Sequence, residues 1–141
     1  MNLDSIGARA PTWYTWASGG FLLLQGSSTL LFRLVPALNA AFPALLDVTQ
    51  MIPIHSTVHI LTGLMALAIL KVGGGRGAWW FALGFGTFYT LLALGGLATG
   101  QTFGLGLQPF DHSFHLLAGV PGLLAAAVGY RPLMLSRQTA K

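Results

Sequence analysis

Four histidines, His55, His59, His112 and His115, are confined to two short segments that each open with a proline. Pro53-Ile54-His55-Ser56-Thr57-Val58-His59-Ile60-Leu61-Thr62-Gly63 aligns without gaps on Pro109-Phe110-Asp111-His112-Ser113-Phe114-His115-Leu116-Leu117-Ala118-Gly119. The shared pattern is Pro-x-[His/Asp]-x-x-x-His-[Ile/Leu]-Leu-x-Gly. On a helix, positions four apart share a face, so the pairs His55/His59 and Asp111/His115 each place two polar groups about 6 Å apart along an axis. Imidazoles in that arrangement suit zinc, copper or iron. The expected ligands are His55, His59 and His115, with Asp111 as a further ligand or an acceptor behind one; His112 points around the helix. A b-type haem is an alternative, with His59 and His115 as axial ligands and Gly63 and Gly119 leaving room for the porphyrin. A third reading makes the same residues structural. Asp111, and His55 or Ser56, would then be helix caps, and His59 and His115 would hydrogen-bond across a pseudo-twofold axis, to Asp111 or Asp47. A pH-responsive interaction protein is a fourth, because histidine titrates near neutrality. The residues leave these alternatives open.

The elements that position the histidines follow from charge and hydropathy. Of 141 residues, 54% are hydrophobic and only 7% charged, where soluble domains carry roughly a quarter. Uncharged stretches long enough to cross a bilayer as helices, roughly 20 residues, fall at about 13–33, 53–71, 78–99 and 112–130. The fold class predicted is an all-α membrane four-helix bundle, a single domain over 1–141. Lys and Arg favour the cytoplasmic side; with the N-terminus inside, Arg9, Lys71, Arg76, Arg131, Arg137 and Lys141 lie there and Arg33 alone lies outside. Trp13, Tyr14, Trp16, Trp79, Trp80 and Tyr130 fall at the same inner ends, where amphipathic rings prefer to sit. Both termini are therefore expected in the cytoplasm of a bacterium, with the protein multi-pass in the inner membrane. The first apolar run continues to Phe32 without a small-x-small cleavage site, so it reads as a retained span. The outer connection 34–52 suggests a short interfacial helix, and 71–77, with Gly73, Gly74 and Gly75, a flexible inner turn. Since both motifs run from outside to inside, the bundle reads as two related hairpins.

On the His-x-x-x-His-x-x-x-Gly of His55, His59 and Gly63, and the Pro-x-Asp-x-x-x-His-x-x-x-Gly of Pro109, Asp111, His115 and Gly119, the chain resembles a bacterial family of small tetraspan membrane proteins called domain of unknown function 4383. The resemblance covers roughly 16–130 and implies a fold without an activity.

Other chemistries are poorly served. The chain has no cysteine, hence no thiolate site or disulfide. Di-iron desaturases need roughly twice as many histidines. Neither Ser56 nor Ser113 sits in a nucleophile motif, and Gly73-Gly74-Gly75 lacks the spacing of a phosphate loop. Too few polar residues (Gln25, Tyr89, Thr90) lie at the midplane for a transporter. Seven scattered cations make no nucleic-acid-binding patch despite a net charge of +4. The partners expected are the lipid bilayer and a second copy or another membrane protein. No catalytic residue is assigned.

Overall fold

A computed structural model of the chain describes residues 3–130 and 132. The elements are α1 (Leu3–Leu34), α2 (Pro36–Ala41), α3 (Ala44–Thr49), α4 (Pro53–Thr99) and α5 (Pro109–Tyr130), with no strand among the described residues. Arg131, Arg137 and Lys141 lie outside them.

α4 is two helices joined at Gly74, whose φ of 51° and ψ of −144° interrupt the helix. Only glycine adopts such a backbone without strain. The expected flexible turn over 71–77 is therefore corrected: helix continues up to one residue on either side, and that residue reverses the chain. The two arms run back along each other immediately, with Gly77 against the Ile69 carbonyl and Tyr89 beside His59. α1 lies antiparallel to the N-terminal arm, meeting it at Gly19 with Ala66 and at Gly26 with Ser56. α5 lies antiparallel to the C-terminal arm, through Gly86 with Gly119 and Trp79 Nε1–H donating to the Ala126 carbonyl (2.7 Å). Four rods of alternating direction result. Leu22, Ala66, Phe81, Phe85 and Tyr89 form the largest buried cluster between them.

α4 and α5 are long and apolar enough to cross a membrane; they contain three of the four stretches expected to do so. The fourth stretch lies in α1, which starts ten residues before Trp13 and is diluted by Thr15, Ser18, Gln25, Ser27, Ser28 and Thr29. Instead of one interfacial helix, the 34–52 connection holds two, separated at Phe42 and Pro43. Arg33 Nε–H donates to the Met51 carbonyl (2.6 Å), tying the end of α1 to the residues that start α4.

Glycines set how near the rods come. A Cβ at Gly63 would lie 2.7 Å from the Gly19 oxygen and the Leu23 nitrogen, and one at Gly119 would lie 2.7 Å from the Thr90 nitrogen. Small residues at such crossings let backbones touch. At Gly20, by contrast, an added Cβ meets nothing within 4 Å. Gly63→Ala is therefore expected to destabilise the bundle by about 1–3 kcal/mol through overpacking, while Gly20→Ala leaves stability unchanged or raises it by up to about 1 kcal/mol through helix propensity. Thermal loss of far-ultraviolet circular dichroism in mild detergent checks both.

Candidate metal centre

The two motifs begin their helices in the same way. Pro53 and Pro109 are each the first residue of a helix, where the missing N–H costs nothing. Two residues on stand His55 and Asp111, and one turn further His59 and His115. All four are buried, the three histidines to 2% exposure.

The structure brings His55, His59 and His115 together, with one ring nitrogen from each lying within 4.8 Å of the others. His55 and His59 approach most closely, with their Nε2 atoms 3.1 Å apart. Nitrogens bound at 2.0–2.1 Å to one tetrahedral ion are separated by about 3.3 Å, so the pair already has a chelating spacing. His115 enters from α5, its ring 6.2 Å from that of His55 and edge-on to Tyr89 at 4.7 Å.

Proton positions follow from the partners. His59 Nδ1 lies 3.0 Å from Gln25 Oε1 on α1, and an amide oxygen only accepts. His59 therefore carries its proton on Nδ1 and, as a neutral ring, offers a lone pair at Nε2. His55 Nε2–H and the Tyr89 hydroxyl (3.4 Å) both aim at that lone pair, so an ion held by both Nε2 atoms would require His55 to carry its proton on Nδ1 instead. This is the tautomer a metal ligand needs, held by an acceptor on the far nitrogen. The Nδ1 atoms of His55 and His115 are buried without a hydrogen-bond partner, so only His59 has such support.

One of the expected residues takes another place. Asp111 Oδ2 accepts from the Gln108 backbone N–H (2.7 Å), and the Asp111 N–H donates to the Gln108 carbonyl (2.9 Å). It reaches back to the start of α5 as the acidic member of a capping box rather than as the N-cap residue itself. His112 packs its ring over Gly96, where any Cβ would fall on it. Its Nδ1 is unpartnered, and His112 is not among the three clustered histidines.

The structural reading is corrected in three details. α4 has no side-chain cap: His55 turns inward to His59, and Ser56 bonds the Ile52 carbonyl (3.3 Å) and the Thr29 hydroxyl (2.9 Å). His59 bonds His55, Gln25 and Tyr89. Asp47 is exposed on α3. The haem reading loses its main support, because the space beside Gly63 and Gly119 is filled by the backbones of α1 and α4.

Gln25 and Tyr89 are the site residues that the motifs did not identify. A signal existed for both: Gln25 is the one amide of the first stretch, and Tyr89 is among the few polar residues near the midplane, but neither carries a mark that ties it to the histidines.

The triad stands at one end of a groove of about 720 Å³ between the two arms of α4, and all three histidines and Tyr89 line it. A trihistidine site with one side open is the arrangement of metal centres that accept an exogenous ligand. No family model matches the chain, and no curated protein and no solved structure is detectably similar to it; the tetraspan resemblance rests on its two motifs alone. Gln25→Leu, which removes the acceptor, should abolish the single Nδ1–H tautomer of His59, read by nitrogen-15 chemical shifts of labelled histidine, while leaving the helix content intact.

Proposed function

We propose that the chain is a multi-pass protein of a bacterial inner membrane whose His55, His59 and His115 hold one transition metal ion, zinc, copper or iron, near the outer face. The observation that carries this reading is the convergence of three buried imidazole nitrogens within 4.8 Å, one of them held in the ligating tautomer by Gln25. Ionisable groups within apolar helices are costly and commonly functional.

Several features support the membrane part. The outward surface is apolar, with Leu24, Leu61, Leu91, Leu117 and Leu124 all exposed. Trp79, Trp80 and Tyr130 gather at the end of the bundle near Gly74, as an interfacial aromatic belt would. Matched contacts support a duplicated hairpin. Gly63 meets Gly19 and Leu23, and Gly119 meets Gly86 and Thr90; the second pair of partners lies 67 positions after the first. Ser56 meets Thr29, and His112 meets Gly96, with the same displacement.

Elemental analysis of untagged protein, purified in mild detergent without chelator, should find about one metal ion per chain. His55→Ala, His59→Ala and His115→Ala should lose it, and His112→Ala should keep it. Gln25→Leu should weaken affinity about 10–100-fold. A metal-free but folded wild type would overturn the proposal in favour of a second reading, a structural or assembly subunit. One observation favours that alternative: His55 Nε2–H and His59 Nε2 already satisfy each other.

Because the chain has no cysteine, its topology can be read from single introduced ones. Gln101→Cys should react with a membrane-impermeant maleimide in intact spheroplasts, and Gly75→Cys only after lysis. The reverse pattern would invert the proposed orientation.

A further inference from the structure

The groove that ends at the histidines runs between the two arms of α4 from the level of Tyr89 to that of Gly77, about 18 Å along the helix at 1.5 Å per residue. Its walls are apolar over that whole length, formed by Met65, Ile69, Phe81, Phe85 and Phe88 among others, and its polar groups are concentrated at the histidine end. Phe81, Phe85 and Tyr89 stack along one wall with centroids 5.1 and 4.0 Å apart. Volume and lining are those of a small-molecule site rather than of a packing defect, which would be smaller.

Charge decides what kind of head such a molecule carries. Three neutral imidazoles around a divalent ion leave its whole charge uncompensated, and the first turns of α5 and of the N-terminal arm of α4 add the positive ends of two helix dipoles. The chain has only three acidic residues, and the one in these motifs, Asp111, spends Oδ2 on the Gln108 N–H. An anionic oxygen head would complete the charge balance at the ion's open side. From this we infer that the groove binds a long-chain carboxylate, its head at the histidine-held ion and its tail between the arms of α4. The inference rests on the metal reading above. In the proposed topology the head would lie in the outer half of the membrane and the tail would run towards the inner turn at Gly74.

Gly84 supplies the test. It lines the groove, and a Cβ added there meets nothing within 4 Å, so a large side chain can enter the groove without disturbing a helix crossing. Native mass spectrometry of the zinc-loaded chain in mild detergent, with palmitate added, counts metal and ligand in one spectrum. Wild type should carry one of each, and methyl palmitate, with the same tail and no charge, should bind about tenfold more weakly or worse. Gly84→Phe should keep the zinc and lose palmitate about tenfold or more; Gly84→Leu repeats the test with a smaller plug should the phenylalanine variant not fold. Zinc retained with palmitate no tighter than its ester, or palmitate indifferent to both Gly84 variants, overturns this inference alone. Zinc absent from wild type overturns the metal reading and, with no ion to receive the carboxylate, this inference too.

Discussion

The histidine cluster depends on how closely α1 approaches the N-terminal arm of α4 at Gly26. A Cβ at that position would lie 2.5 Å from the Ser56 carbonyl oxygen and 3.0 Å from the His59 Cβ. With hydrogen alone there, the neighbouring Gln25 comes within 3.0 Å of His59 Nδ1, and Thr29, one turn further, within 2.9 Å of the Ser56 hydroxyl. If the two helices stood further apart, Gln25 would be an amide in apolar surroundings without a partner, at a cost of roughly 1–3 kcal/mol. The same approach turns His59 Nε2 inward, towards His55, Tyr89 and the groove. One missing side chain thus sets the tautomer, the direction and the depth of the central imidazole.

Much of this was legible in the sequence, and what was not has definite physical causes. The i, i+4 spacing and the repeated proline located the two helix starts and grouped His55, His59 and His115, because those relations are local. The partners of the cluster were not legible: Gln25 is 34 positions from His59 and Tyr89 is 30, and only the packing of α1 and the reversal at Gly74 bring them in. Gly63 and Gly119 were recognised as making room, but the pattern does not say for what, and a neighbouring backbone takes the space. Asp111 was recognised as a residue at a helix start; its reach back to the Gln108 N–H depends on the backbone ahead of α5. The run Gly73-Gly74-Gly75 signalled a turn, yet only one of the three glycines leaves helical geometry.

Stability alone does not account for placing these imidazoles inside the bundle. Apolar side chains of similar volume would fill the same space without a polar atom to satisfy. The Nδ1 atoms of His55, His112 and His115 are all buried without partners, and a buried polar atom left unpaired costs about 1–3 kcal/mol. Asn39 Oδ1 and Thr90 Oγ1 are unpaired as well, but two of the unpaired atoms, on His55 and His115, belong to the triad, where a ligand would use them, while Thr15, Ser56, Trp79 and Tyr14 are satisfied. Tyr14 donates to the Ala118 carbonyl at 2.8 Å, beside the Leu117 carbonyl that Pro121 leaves without a helical donor.

The duplication reading also explains why the site is lopsided. At matched places the first hairpin has Thr29 facing Ser56 and the second has Gly96 facing His112. Losing the side chain at 96 makes room for the larger ring at 112, so the two differences compensate in volume. A second divergence, His55 in one copy and Asp111 in the other, has the opposite consequence. The first copy keeps a histidine one turn from His59 and presents a chelating pair. The second has an acid there, bonded to the start of its own helix, and contributes His115 alone. A symmetric pair of motifs would have gathered four imidazoles, enough to close a tetrahedral site. On that reading divergence leaves three, and the groove between the arms of α4 begins beside them.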